Sequence, residues 1–304
     1  MGTPRAATAG TWALILSSVL WGTTGTAASF LPQNVSPLAV GASTMALGGI
    51  LLFARSARPA VTALRDPAAR GWLLIGAVGV VVYPLAFYSA MDLAGVAIGN
   101  VVALGSGPVF AAVFEWLWER RGLSVRWLVA TATAVAGIAL LSLGRHTDDT
   151  DGGSGVVAGV LLGLLAGVAY ALYTYASTRA IGAGHSGRGV MGGMFGVGAI
   201  GLLPVLVAFG APLLQSAQSI GIAVYLAVGP MFVAYLLFGF GLTHMRSSVA
   251  TTVTLIEPLV ATLLAVVVVG ERLDPPGWVG LALILVGVTV LITARRQPKP
   301  SRSF

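Results

Sequence analysis

One carboxyl stands apart among the side chains that could do chemistry. Glu257 lies 10 residues into the 23-residue apolar run 247–269, and Pro258 follows it. No other Asp, Glu, Lys, Arg or His falls so far from the ends of an apolar run. An ionised carboxyl at the centre of a bilayer costs about 2.5–3.5 kcal/mol on insertion scales. Such a residue is either a working group or a neutral one bonded to a neighbouring helix. The working chemistry would be substrate contact or proton coupling, with the group neutral while dry and ionised once water reaches it. Pro258 removes a helical hydrogen bond and is expected to leave a free carbonyl nearby.

Rings with polar tips also fall deep in apolar runs: Trp21, Tyr83, Tyr88, Tyr170, Tyr173 and Tyr235. Tyr170 and Tyr173, three residues apart, share a helix face. These side chains suit a cavity for a partly apolar or cationic solute. Their competing role is lipid-facing or interfacial packing, and that role is assigned to Trp127, Trp278 and Tyr225, which lie near the ends of runs. Asn100 is a further candidate for substrate contact, although interhelical hydrogen bonding accounts equally well for it and for Ser106.

Other chemistries lack their residues. Without cysteine there is no disulfide, thiol catalysis or thiolate metal site. No phosphate-binding Gly-x-x-x-x-Gly-Lys-Ser/Thr run is present. His146, His185 and His244 lie at loops or run ends without ligand spacing. Gly105-Ser106-Gly107 is not a nucleophile elbow, and no histidine lies deep enough to serve a buried serine. No Lys or Arg sits mid-run to hold a phosphorylated substrate. Neither cofactor nor metal is expected, and no enzymatic activity.

The elements that must position these residues follow from composition. The chain is 57% hydrophobic and 9% charged, too few charges to cover a soluble protein of this size. Its mean hydropathy of +0.92 points to lipid as the solvent. Ten runs are long enough to cross: 9–31, 36–54, 71–91, 95–116, 126–143, 155–177, 187–209, 219–242, 247–269 and 276–293. The first is longer than a signal-peptide core and is expected to be a retained helix. With the N-terminus in the cytoplasm, 15 of the 17 Lys and Arg fall on the inner side. Only Arg145 and Arg272 fall outside. This asymmetry predicts that both termini are cytoplasmic, as in a multi-pass protein of the plasma or inner membrane. The basic charge is thus a topology signal, and no nucleic-acid partner is expected. The partners are the bilayer and a small-molecule substrate.

The two halves repeat. Ser106-Gly107-Pro108-Val109-Phe110-Ala111, Glu119-Arg120 and the Trp127 run recur as Ile256-Glu257-Pro258-Leu259-Val260-Ala261, Glu271-Arg272 and the Trp278 run. The prolines are 150 apart and the Glu-Arg pairs 152 apart. Trp21-Gly22 stands against Tyr170-Ala171 at an offset of 149. The boundary falls in the polar linker 145–154, giving repeats 1–146 and 147–304. Five spans per repeat is an odd number, so the second repeat enters from the opposite side. Inverted repeats of this kind underlie many secondary transporters, with the substrate site at the repeat interface. The glycines at 155, 159, 163 and 167 form a small-residue stripe for close helix packing. Pro84, Pro108, Pro204, Pro230 and Pro258 are expected inside helices, as static kinks or as bends for rocking.

The doubled Pro-Val-Phe-Ala and Glu-Pro-Leu-Val-Ala segments, each followed by Glu-Arg, together with Trp21-Gly22, resemble the EamA-type drug/metabolite transporter superfamily. The resemblance covers nearly the whole chain. It implies ten helices, export of small metabolites or drugs, and no nucleotide cofactor. The expectation is an all-α polytopic membrane protein of ten transmembrane helices in two five-helix inverted repeats. It would work by alternating access as a proton-coupled exporter of amino acids or related amphipathic and cationic compounds. A passive facilitator or channel is the alternative.

Overall fold

Polar caps and prolines cut the apolar chain into helices. Ser36, Ser124, Ser186 and Ser216 each accept a hydrogen bond from the backbone N–H three residues on. Asp66 accepts one from the Ala68 N–H. Each bond satisfies a donor that a helix start leaves free.

The computed structural model describes residues 4–94, 96–120, 124–143, 154–270 and 274–293. The expected linker 145–154, save Ser154, and the Glu271-Arg272 pair lie outside them. Among the described residues the chain is helical and contains no strand. The elements are α1 (Pro4–Ala28), α2 (Pro37–Arg55), α3 (Ala57–Arg65), α4 (Pro67–Ala94), α5 (Val96–Glu119), α6 (Val125–Leu143), α7 (Ser154–Gly182) and α8 (Gly187–Phe209). They continue as α9 (Ala217–Leu226), α10 (Ala234–Leu242), α11 (Ser247–Val253), α12 (Ile256–Leu264) and α13 (Pro275–Thr293). Among the described residues, six helical stretches are long and apolar enough to cross a bilayer. The short helix α3, absent from the sequence expectation, lies in the basic segment 55–70 and buries Ala60 and Ala63.

Two of the expected runs are broken. A π-helical turn, Ala227–Val233, contains Pro230 and separates α9 from α10. The run 247–269 is divided at Thr254 and Leu255, between α11 and α12. Pro258 is the cause: it has no N–H for the Thr254 carbonyl four residues back, and its ring crowds that carbonyl. The free carbonyl expected there is not observed. The Glu257 N–H donates to Thr254 O at 2.9 Å instead.

The interior is made by close helix pairs. α7 packs along both α4 and α5, α2 along α8, and α6 along α13; α1 runs along α10 and α12. The glycine stripe serves this packing. Gly159 lies against Ala90 and Ala94 of α4, and Gly163 against Val102 of α5. A side chain at either position would push the helices apart. The outer surface is apolar, with Val207 81% and Val267 79% exposed. That is the reverse of a water-soluble surface and suits contact with lipid.

Candidate functional site

The broken helices and their neighbours leave a cavity of about 370 Å³. That is large enough for a small organic solute. It is bordered by α1, α2, α4, α5, α7, the Pro230 turn, α10 and α12. It runs from Ser29, exposed at the C-terminal end of α1, down to the buried Tyr173 and Tyr235. Trp21, Tyr83, Tyr88, Tyr170, Tyr173, Tyr235 and Glu257 all line it. The fold thus gathers into one cavity side chains that are up to 236 residues apart in the chain. The side chain of Asn100, the remaining candidate, lies outside the described residues.

The rings form a continuous wall. Trp21 and Tyr235 have centroids 5.0 Å apart, and Tyr235 packs on Phe195 at 4.3 Å. The hydroxyls of Tyr173 and Tyr235 share a hydrogen bond of 2.9 Å. Tyr170 meets Thr254 at the helix break, with hydroxyl oxygens 2.7 Å apart. Tyr83 stacks on Phe87 at 5.4 Å and reaches Tyr170 at 5.8 Å. Three of the tyrosines therefore have committed hydroxyls, and buried rings satisfied in this way hold their positions.

Two glycines set the distances across the site. A Cβ on Gly22 would come within 2.7 Å of Val260 Cβ and 3.0 Å of the Glu257 carbonyl. Only glycine lets α1 approach α12 so closely beside the carboxyl. At Gly107, the repeat counterpart of Glu257, a Cβ would lie 2.8 Å from the Tyr170 ring. The space taken by a side chain in one half is filled by a tyrosine from α7 in the other. The site is therefore asymmetric in charge.

Glu257 is the sole acidic or basic side chain among the described residues lining the cavity. No described residue donates a hydrogen bond or an ion pair to its carboxyl. It stands in the first turn of α12, where backbone N–H groups at a helix start favour negative charge. The arrangement combines one carboxyl with aromatic faces and, among the described residues, no competing cation. It can hold an ammonium group by charge and by cation–π attraction. Among the described residues, no three of His, Cys, Asp and Glu gather as a metal would require.

Sequence reasoning missed several parts of the wall. Thr24, Thr26, Met45, Phe87, Met91 and Met231 line the cavity. Thr44 lines it too, and its buried hydroxyl has no hydrogen-bond partner. Nothing in their types separates these residues from ordinary packing positions; only the direction in which each helix face points selects them. Trp127, near the start of α6 as expected, is buried and does not face lipid. It is 6% exposed, and its indole N–H donates to Ser248 O at 3.4 Å. Trp278 and Tyr225, by contrast, are exposed.

Comparison with known proteins extends these observations. The EamA-like transporter family matches residues 8–143 and again 157–293. The chain is 33% identical to the uncharacterized transporter YwfM of Bacillus subtilis (strain 168), over 95% of this chain and 96% of that one. It is 28% identical to an uncharacterized transporter of Archaeoglobus fulgidus, over 91% and 94% of the two chains. A solved crystal structure shares the fold with a TM-score of 0.79 at 23% identity, covering 95% of this chain and 98% of that chain. With the apolar helices and the cavity they enclose, these matches make the protein a multi-pass membrane transporter that belongs to the EamA-like transporter family.

Proposed function

We propose that the protein is a secondary active exporter of small amphipathic metabolites bearing an ammonium group, namely amino acids, related amines and organic cations. The observation that carries this reading is the Glu257 carboxyl, set without a cation among the described residues lining an aromatic cavity that reaches one surface. Dry and empty, such a carboxyl is favoured in its neutral form, because an ionised one has no partner among the described residues. When water and an amine reach it, it gives up a proton and takes the cation. Substrate and proton then compete for one group, so proton influx drives substrate efflux.

Alternating access through an inverted repeat supports the scheme. Laying one half on the other sets α1 against α7, α4 against α10, and α5 against α11 and α12. The packing of α7 on α4 then corresponds to α1 on α10. Likewise α7 on α5 corresponds to α1 on α12, and both members of each pair are in contact. The family matches fall one on each half. In this layout ten helices cross the inner membrane, both termini are cytoplasmic, and the Ser29 mouth faces outward.

The test is a proteoliposome uptake panel of amino acids, amines and organic cations, with and without an imposed pH gradient. Saturable accumulation of an amine against its gradient, driven by protons, is expected. Uptake that only equilibrates, and ignores pH, would replace the exporter by a passive facilitator.

A further inference from the structure

A second buried carboxyl lies at the end of the molecule opposite the cavity mouth. Glu115, in the penultimate turn of α5, is 2% exposed. A carboxylate this deep must be matched by donors, and among the described residues they come from the start of α11. Ser247 Oγ donates to Oε1 at 2.8 Å, the Ser248 N–H to Oε1 at 2.9 Å, and Ser248 Oγ to Oε2 at 2.9 Å. Arg246 forms an ion pair with Oε2. A side chain of one half thereby caps a helix of the other.

Weaker links surround this clamp. Glu119, one turn further along α5, meets Arg179 of α7 at 3.5 Å and accepts from the Tyr175 hydroxyl at 3.3 Å. Asp66 and His185 meet at 2.7 Å. These pairs also join residues of the first half to residues of the second. The opposite end, at Ser29, carries the open mouth.

The clamp is tied mechanically to the cavity. α11 begins at Ser247, ends at the Thr254 break, and is followed at once by Glu257. At 1.5 Å per residue, Ser248 and Glu257 are about 13 Å apart along this path. A displacement of α11 at its clamped end therefore reaches the break beside the cavity carboxyl. The clamp is also incompletely satisfied, since the Arg246 Nε is buried without a hydrogen-bond partner.

We infer that Glu115, clamping Arg246, Ser247 and Ser248, is the gate that holds this end shut while the Ser29 end is open. Glu115 and Arg246 act as positioning residues: they lie outside the aromatic cavity, border a separate cleft of about 690 Å³ at this end, and set which side the aromatic cavity faces. The inference rests on the alternating-access reading, in which this end must open, and the charge pattern places it in the cytoplasm.

The cysteine-free chain allows a direct test. Thr251, fully buried in α11, and Thr44, at the cavity wall, serve as reporter positions. Thr251→Cys and Thr44→Cys are labelled separately with a membrane-impermeant maleimide in oriented vesicles. Adding Glu115→Gln should raise Thr251→Cys labelling from the cytoplasmic side about ten-fold, as a minor open state becomes a major one. Labelling of Thr44→Cys from the outside should fall. Arg246→Ala removes a partly exposed side chain and should produce the same reciprocal change if Glu115→Gln does not accumulate as folded protein. Unchanged labelling in either folded variant, or a lowered Tm without the reciprocal shift, would overturn the gate. The readout uses no substrate. A reciprocal shift alongside an inactive transport panel would therefore uphold the gate and sink the exporter reading alone.

Discussion

Replacing Glu257 by Gln removes a charge and keeps the shape. The wild-type carboxyl accepts no hydrogen bond from a described residue, so the substitution breaks no observed contact. Folding and membrane insertion should therefore survive, and a Tm within a few degrees of wild type is expected. Binding should not survive intact. A hydrogen bond to a charged group is worth about 1.5–3 kcal/mol, against about 0.5–1.5 for a neutral one. The midpoints differ by about 1.25 kcal/mol, which corresponds to an apparent affinity about eight-fold weaker for a monovalent amine. The aromatic wall of Trp21, Tyr83 and Tyr235 is untouched, so binding falls without vanishing. Gln carries no titratable proton. In proteoliposomes, accumulation driven by a pH gradient should be lost, while exchange of substrate for substrate continues. The decisive comparison is the initial rate of gradient-driven accumulation of one labelled amine in wild type and variant. Accumulation at the wild-type rate would remove Glu257 from coupling. An equal loss of affinity for a neutral and a cationic analogue would show that the charge plays no part in recognition.

The remaining predictions concern the wall, the topology and the part-buried Asp66–His185 contact. Trp21→Ala and Tyr83→Ala should each raise the apparent KM for an organic cation about ten-fold, from loss of about 1–2 kcal/mol of cation–π and apolar contact, with folded protein still in the membrane; unchanged kinetics in both would return these rings to packing. Single cysteines should be labelled from the cytoplasmic side at Thr62→Cys and from the outside at Thr150→Cys, and cytoplasmic labelling at 150 would invert the orientation. The Asp66 carboxyl is held below the usual carboxylate range, first by the Ala68 N–H and then by His185. A depressed folded value gives stability that is present above the ordinary carboxylate value and is lost as pH falls through the folded one. Asp66→Asn should thus lower Tm at pH 7, with the gap to wild type closing as pH falls below the ordinary carboxylate range and through the lowered folded value. A gap that stays constant across this range would exclude the ionised carboxylate as its source.

Some of this protein is written along the chain, because its causes are local. Crossing a bilayer depends on the summed apolarity of about 20 consecutive residues, so the apolar runs are read directly and helices occupy them. Glu257 declares itself the same way, since a carboxyl inside an apolar run is costly wherever the run folds. Pro258 carries its own consequence, the break at Thr254, although the sequence alone did not show that the Glu257 N–H would occupy the carbonyl left behind. The short helix α3 stayed hidden because its amphipathic pattern, nine residues carrying Arg58 and Arg65, is far shorter and more polar than a membrane-crossing run.

Other features were decided only when the helices met. Helices this apolar show little difference between their faces, so the chain does not say which face looks inward; packing turned Thr44, Phe87 and Met231 to the cavity and Val207 to the outside. Glu115 shows the limit most plainly. Four residues from Glu119 and the end of α5, it reads as one more charge at a membrane boundary. Its burial follows from Ser247 and Ser248, 132 and 133 residues away, and from the Arg246 beside them. A charge near a helix end becomes a clamp only when a second helix start, with its free N–H and hydroxyl donors, is placed against it. That placement is a property of the tertiary structure, because neither helix holds both partners.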